Sequence, residues 1–112
     1  MISIGQDATV LTMIHVYETS PERQQSVYDG LIEGLRLYGR RMAGHLSSSI
    51  HKSLDGLRVT SYSQWDVEGS KALFENPAAL AGSLAWFAPL ISNASRQDSH
   101  LYGDISTYQA SA

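Results

Sequence analysis

Two predicted neighbouring strands carry an unusual set of histidine, serine and tryptophan side chains. Successive side chains of a strand point to opposite faces, so residues of one parity share a face. If residues 45–52 pair with residues 57–65, one face of the pair is predicted to carry His45, Ser47, Ser49, His51, Ser61, Ser63 and Trp65. A purely structural core disfavours so many polar groups, because each one buried without a partner costs about 1–3 kcal/mol. We therefore favour a polar pocket floor beneath covering helices over the alternative, a face exposed to solvent.

The histidines are the groups on this face that could act as bases. An ordinary histidine pKa of roughly 6.5 lets the neutral imidazole accept a proton near neutral pH. Removing a proton from a phenol or from a similarly acidic carbon gives an electron-rich anion that can react with oxygen. His51 and His45 are thus the candidate catalytic bases. The alternative, that these strand histidines only form structural hydrogen bonds, stays open for both.

Aromatic side chains supply the second part of the candidate site. Trp65 is expected to line the pocket and stack on a planar substrate, although tryptophan is a core residue by default. Trp86 and Phe87 are candidates for an apolar lid, the alternative again being core packing. His15 and Tyr17 share a face of the first predicted strand, where we favour packing or a dimer contact. The serines are expected to contact the substrate: Ser47, Ser49, Ser61 and Ser63.

A strand and a helix precede the site strands and must position them. Residues 9–17 are mostly β-branched, apolar or aromatic, which predicts a strand with two apolar faces. A sheet in one small domain seldom covers both faces alone, so this strand predicts a homodimer. Ser20-Pro21-Glu22 is typical of a helix start, with a capping hydroxyl, proline at the first position and an acid at the positive dipole end. Apolar residues at helical spacing extend this helix to Gly39 or to residues 42–44.

The rest of the chain completes a simple order of elements. The Asp55-Gly56 pair predicts a tight hairpin between the two site strands, because glycine supplies the positive φ that such a turn needs. Two helices, a loop and a last strand are predicted over residues 66–74, 76–88, 92–95 and 100–108. The order strand, helix, strand, strand, helices, strand predicts an α+β protein with the split βαβ arrangement of the ferredoxin-like fold.

Composition limits the class of protein. A chain of 112 residues predicts a single domain, residues 1–112, with its core at about 9–108. The net charge of -3 comes without a basic stripe, which argues against nucleic acid. There are no cysteines, no metal-binding or cofactor-binding motif, no signal peptide and no apolar run long enough for a bilayer. We expect no metal, no cofactor, no membrane partner and a cytoplasmic location.

With the hairpin placed, the stretch of residues 51–65 resembles the central signature of the antibiotic biosynthesis monooxygenase family. Residues 20–25 resemble that family's first helix start, and Leu101-Tyr102 its last strand. The resemblance implies homodimers whose sheets meet face to face in a dimeric α+β barrel, with a pocket between sheet and helices in each subunit. It also implies oxidation of anthrone-like or quinol-type aromatic polyketides by molecular oxygen, without metal or flavin. His51 and Trp65 match a histidine and a tryptophan of that family's site.

Other positions depart from the family's pattern. Ser61 stands where an asparagine is usual, Lys71 where the actinorhodin-type enzymes carry a tyrosine, and His45 where a phenylalanine is usual. The later helix, within residues 76–91, contains no basic residue to match their arginine. Three functions therefore stay open. They are a cofactor-free monooxygenase of an aromatic polyketide, a polyketide cyclase of the same fold, and a non-catalytic dimer that binds a polyketide.

Overall fold

A computed structural model describes residues 9–104, 106 and 108–110. Four strands form one antiparallel sheet in the order β2-β3-β1-β4. The elements in chain order are β1 (Val10–Glu18), α1 (Gln24–Tyr38), β2 (His45–Lys52), β3 (Arg58–Asp66), α2 (Val67–Glu75), α3 (Pro77–Phe87) and β4 (Arg96–Tyr102). Short 3-10 helices follow α1 (Gly39–Arg41) and α3 (Ala88–Ile91). This is the ferredoxin-like α+β fold predicted from the sequence.

The core lies between α1 and one face of the sheet. Val27 and Leu31 of α1 pack against Tyr17 of β1, Val59 of β3 and Ile91 of the second 3-10 helix. Val27 and Val59 are fully buried. Burying a side chain of this size stabilises the fold by about 1.5–3 kcal/mol. We call this helix-covered side of the sheet the inner face and its opposite the outer face. Within the described residues, no helix has both the length and the apolarity needed to cross a membrane.

Local signals place most element ends correctly. The Asp66 side chain accepts a hydrogen bond from the Gly69 N–H, and that of Asn76 accepts from two N–H groups at the start of α3. Gly56 has a φ of +79°, as the predicted hairpin requires. The start of α1 differs, because residues 21–23 form a turn and the helix proper begins at Gln24. Ser20 contributes its carbonyl oxygen there, to the N–H of Gln24 at 2.8 Å, and no side-chain cap is present.

The predicted last strand is displaced along the chain. Residues 100–108 were expected to form it, but β4 is Arg96–Tyr102, residues 103 and 104 are not in a strand, and residues 105 and 107 lie outside the described residues. The Ser95 N–H donates to the Glu18 carbonyl oxygen at 2.8 Å, and β4 runs from there antiparallel to β1. Pairing therefore begins where the chain reaches the end of β1, in a polar segment that periodicity does not identify as a strand.

Candidate active site

A cavity of about 380 Å³ lies between the inner face of the sheet and the helices. Its walls are mainly apolar, with leucines of α1, α2 and α3 facing Met13, Ile50 and Trp65 of the sheet. The polar side chains that reach it are few: His15, Tyr17, Ser48, Ser61, Ser63, Ser83 and Gln97. A largely apolar cavity with a few convergent polar groups is the usual form of a small-molecule site.

Trp65 forms part of the cavity wall, as expected from the sequence. It is buried, and its ring meets that of Phe74 edge to face with centroids 5.0 Å apart. Its indole N–H donates to the Ser63 hydroxyl oxygen at 2.9 Å. The Ser63 hydroxyl in turn faces the Met13 carbonyl oxygen at 3.5 Å. Ser63 thus fixes the tryptophan ring, whereas the Ser61 side chain forms no hydrogen bond within the described residues.

A β-bulge in β2 changes which serines and histidines reach the cavity. His45 pairs with Trp65, but Ser47 pairs with Gln64, so one extra residue is inserted between them. A bulge of this kind reverses the parity of everything that follows it. As a result Ser48 and Ile50 pair with Ser63 and Ser61 and line the cavity. The expectation that three residues of β2 share the face of Trp65 is wrong: Ser47, Ser49 and His51 lie on the outer face.

The displaced residues find partners outside the cavity. His51 is exposed, and its Nε2 lies 2.9 Å from the Ser49 hydroxyl oxygen. The Ser47 hydroxyl donates to the side-chain oxygen of Gln64 at 3.2 Å. No side chain of this group contacts the cavity. His51 therefore has no access to a molecule held between sheet and helices of its own subunit.

His45, which precedes the bulge, stands behind the cavity wall. Its ring meets Trp65 edge to face at 4.9 Å, and its Nε2 lies 2.7 Å from the Ser48 hydroxyl oxygen. Burial lowers the pKa of His45, and hydrogen bonds with the backbone of Gly39 and Ser47, which favour the protonated ring, partly oppose that shift. His45 thus supports two lining residues without lining the cavity itself.

The two candidate lid residues separate in the structure. Phe87 lines the cavity between sheet and helices and packs against Gly34 of α1, where a β-carbon would come 2.3 Å from the phenylalanine ring. Trp86 instead stacks on Tyr38, with ring centroids 5.4 Å apart, and borders a second cavity of about 420 Å³ beside Arg41. Adjacent helical residues point about 100° apart, so they seldom serve one cavity together.

His15 is the cavity residue that the sequence did not single out as a base. It is buried on the inner face of β1, and its ring stacks on that of Tyr17 with centroids 4.1 Å apart and planes 6° apart. Its Nε2 lies 3.1 Å from the side-chain oxygen of Gln97. Burial lowers the pKa of His15, while the Gln97 hydrogen bond and the charge of Asp98 oppose the shift. The shared parity of His15 and Tyr17 is the signal for this site, but from the sequence alone packing or a dimer contact is the favoured interpretation.

Burial raises the pKa of the Tyr17 phenol well above its ordinary value. Tyr17 therefore stays a neutral phenol at any physiological pH. Among the described residues, no group of three or more histidine, aspartate and glutamate side chains is placed to hold a metal ion.

The sheet order, the helices on one face and the cavity between them define a ferredoxin-like α+β protein with an internal, largely apolar cavity. No protein-family model matches the sequence. The chain is 31% identical over 78 residues to the tetracenomycin-F1 monooxygenase of Streptomyces glaucescens. The matched segment covers 69% of this chain and 70% of that protein. The chain belongs to the antibiotic biosynthesis monooxygenase family.

Solved structures show the same fold at low sequence identity. A putative antibiotic biosynthesis monooxygenase of Bordetella bronchiseptica has a TM-score of 0.66 at 17% identity, covering 88% of this chain and 99% of its own. The ActVA-Orf6 monooxygenase of Streptomyces coelicolor, in complex with nanaomycin D, has a TM-score of 0.65 at 19% identity, covering 93% and 94%. SnoaB of Streptomyces nogalater, a cofactor-independent oxygenase, has a TM-score of 0.60 at 13% identity, covering 89% and 97%.

Proposed function

We propose that this chain is a cofactor-independent monooxygenase that oxidises a flat aromatic polyketide of the anthrone or quinol type in natural-product biosynthesis. The observation that carries the proposal is the cavity of about 380 Å³, walled by aromatic and aliphatic side chains with few polar groups. This volume lies within the range of about 300–1,000 Å³ that is typical of small-molecule sites. The names of its relatives, tetracenomycin-F1 monooxygenase and a monooxygenase that binds nanaomycin D, support a polycyclic substrate.

The chemistry needs a base and a water-poor cavity. An anthrone CH₂ group that loses a proton becomes an enolate, which is electron-rich enough to react directly with oxygen. The carbon then carries a hydroperoxide, and loss of its remaining hydrogen together with hydroxide leaves a carbonyl. The balance is one CH₂ and one O₂ giving one C=O and one H₂O. The apolar walls keep bulk water from the anion, and they retain a planar substrate by burial of its surface.

Oxygen uptake with the synthetic anthrone dithranol tests this function. We expect one O₂ to be consumed per product, and the product to gain one oxygen atom and lose two hydrogen atoms. Labelled oxygen gas should place its label in the new carbonyl group, and prior dialysis against a chelator should not abolish turnover. Conversion of a polyketide at the same rate without oxygen indicates a cyclase instead. Tight binding without conversion in either condition indicates a binding protein.

Trp65→Phe is expected to raise KM by about three- to ten-fold while most of kcat is retained. The phenylalanine keeps an aromatic face, but it contacts less of a planar substrate and loses the hydrogen bond to Ser63. An aromatic contact of this kind contributes about 0.5–1.5 kcal/mol beyond buried area, which converts to roughly two- to thirteen-fold in KM and so includes the expected range. Trp86→Phe is the matched comparison, because Trp86 borders the second cavity. An equal rise in KM for both variants would remove Trp65 from the substrate-binding wall.

The outer face of the sheet supports a homodimer as part of the proposal. The outer side chains of β1 are Val10, Thr12, Ile14 and Val16, and all four remain partly exposed. The helices that contribute to the core lie on the inner face, so a second copy of the chain is the covering layer we propose. We also propose that the enzyme acts in the cytoplasm.

A further inference from the structure

We infer that His15 is the general base of the reaction, and that Gln97 holds its ring in the tautomer that leaves Nδ1 free to accept the substrate proton. This inference rests on the proposed oxygenase function. Among the described side chains that line the cavity between sheet and helices, only His15 and Tyr17 are titratable. The cavity therefore contains one group of the type that accepts a proton near neutral pH.

The contact with Gln97 fixes the tautomer. The side-chain oxygen of an amide only accepts hydrogen bonds, so the Nε2 atom that faces it at 3.1 Å must carry the hydrogen. In a neutral imidazole the other nitrogen then holds the lone pair. No described residue donates a hydrogen bond to Nδ1. Gln97 is thus a positioning residue that leaves one basic nitrogen of His15 unoccupied.

Stacking on Tyr17 fixes the plane of the same ring. The two rings lie parallel with centroids 4.1 Å apart, so His15 cannot rotate about χ2 without losing that contact. Ser61, on β3, is the strand partner of His15. The Ser61 hydroxyl forms no hydrogen bond among the described residues and is available to a substrate oxygen. One base and one small hydrogen-bonding group therefore lie side by side on the cavity floor.

The surroundings of His15 favour its neutral, proton-accepting form. Burial is the largest influence and lowers its pKa, with Gln97 and the carboxylate of Asp98 acting in the opposite sense. Tyr17, on the same strand, stays neutral because burial raises its pKa. The helices contribute apolar side chains and Ser83 to the cavity, and no charged group. The carboxylate that influences His15 belongs to Asp98, which pairs with Val16 and so lies on the outer face of β4. No cation is found among the described residues that line the cavity.

The proton balance uses His15 twice. Nδ1 takes a proton from the substrate carbon, and the resulting enolate adds oxygen to form a carbon–oxygen bond. The imidazolium returns its proton to the peroxide anion. Neutral His15 then removes the remaining hydrogen from that carbon while the O–O bond breaks, and the departing hydroxide takes this proton to form water. Histidine ends the cycle neutral, and oxygen is the only oxidant.

The test separates proton transfer from oxidation. Dithranol mixed with the enzyme without oxygen should develop the visible absorbance of its enolate at a pH where the free compound stays neutral. His15→Gln should abolish this signal and lower kcat by about 100-fold or more once oxygen is admitted. His15→Ala should be as inactive, and added imidazole should restore part of its turnover. Gln97→Glu should shift the acid limb of the pH profile upward, because a carboxylate beside the ring favours the imidazolium.

The outcomes distinguish the assignment of His15 as the base from the proposed oxygenase function. Equal enolate and turnover in wild type and in a folded His15→Gln variant overturn the assignment of the base. Oxidation by a wild-type protein that forms no enolate without oxygen also overturns the assignment of His15 as the base. A His45→Phe variant that loses more activity than His15→Gln overturns the same assignment. An enolate that forms without subsequent oxygen uptake retains the base but overturns the oxygenase function. Absence of both enolate and uptake overturns both.

Discussion

Gly30→Ala is expected to lower the free energy of unfolding by about 3 kcal/mol or more, at the upper end of what overpacking costs. Gly30 is a buried residue of α1, and a β-carbon there would come 1.8 Å from the carbonyl oxygen of Leu90 and 2.7 Å from its carbonyl carbon. Those atoms belong to the backbone of the second 3-10 helix, whose Ile91 is part of the core. The backbone must therefore shift, and no rotamer change relieves the contact.

Thermal unfolding followed by circular dichroism measures this effect, with an expected fall in Tm of roughly 10 °C or more. Gly82→Ala is the matched control, because Gly82 is an exposed residue of α3, and a β-carbon added there would have no heavy atom of another element within 4 Å. Alanine there should stabilise the helix by about 0.5–1 kcal/mol. A Gly30→Ala protein as stable as Gly82→Ala would show that α1 and the 3-10 helix do not approach so closely.

Ile14→Lys is expected to convert a dimer into a monomer of 12.3 kDa. Ile14 lies at the middle of β1 on the outer face, between Tyr62 of β3 and His100 of β4. If a second sheet covers this face, the lysine places an unpaired ammonium group in an apolar interface. Breaking apolar contact there and burying such a charge should raise the dimer Kd by about 1,000-fold, or roughly 4 kcal/mol.

Light scattering at micromolar concentration distinguishes the outcomes. Leu54→Lys is the control, since Leu54 is fully exposed at the hairpin tip and the same chemical change there should leave the mass unchanged. A wild-type mass of 12.3 kDa would contradict the homodimer outright. A dimeric Ile14→Lys variant would instead place the interface on another surface of the subunit.

The sequence by itself determined the elements and their order. Asp66 and Asn76 cap their helices through local hydrogen bonds, and the Asp55-Gly56 turn has the backbone conformation that its residue types demand. These features depend on contacts between residues close in sequence, so their residue types carry the necessary information. The family is evident from the sequence for the same reason, because the resemblance rests mainly on one continuous segment, from this hairpin to Trp65.

Only the tertiary structure decided which side chains share the cavity. Alternation along β2 predicts one face for His45 and His51, but the bulge after His45 reverses the parity of the strand. A single inserted residue leaves no mark on composition or periodicity, because it is fixed by pairing with β3. For the same reason β4 begins at Arg96, where the chain meets the end of β1.

His15 shows the same division between local and distant information. Its residue type and its place on β1 are evident in the sequence, whereas its role depends on Gln97, 82 residues further along the chain. That contact forms only because β4 pairs with β1 in the register that sets Gln97 opposite Tyr17. Local sequence specifies backbone conformation, but a polar group buried beneath helices acquires its partners, and hence its chemistry, from strands that meet only in the folded chain.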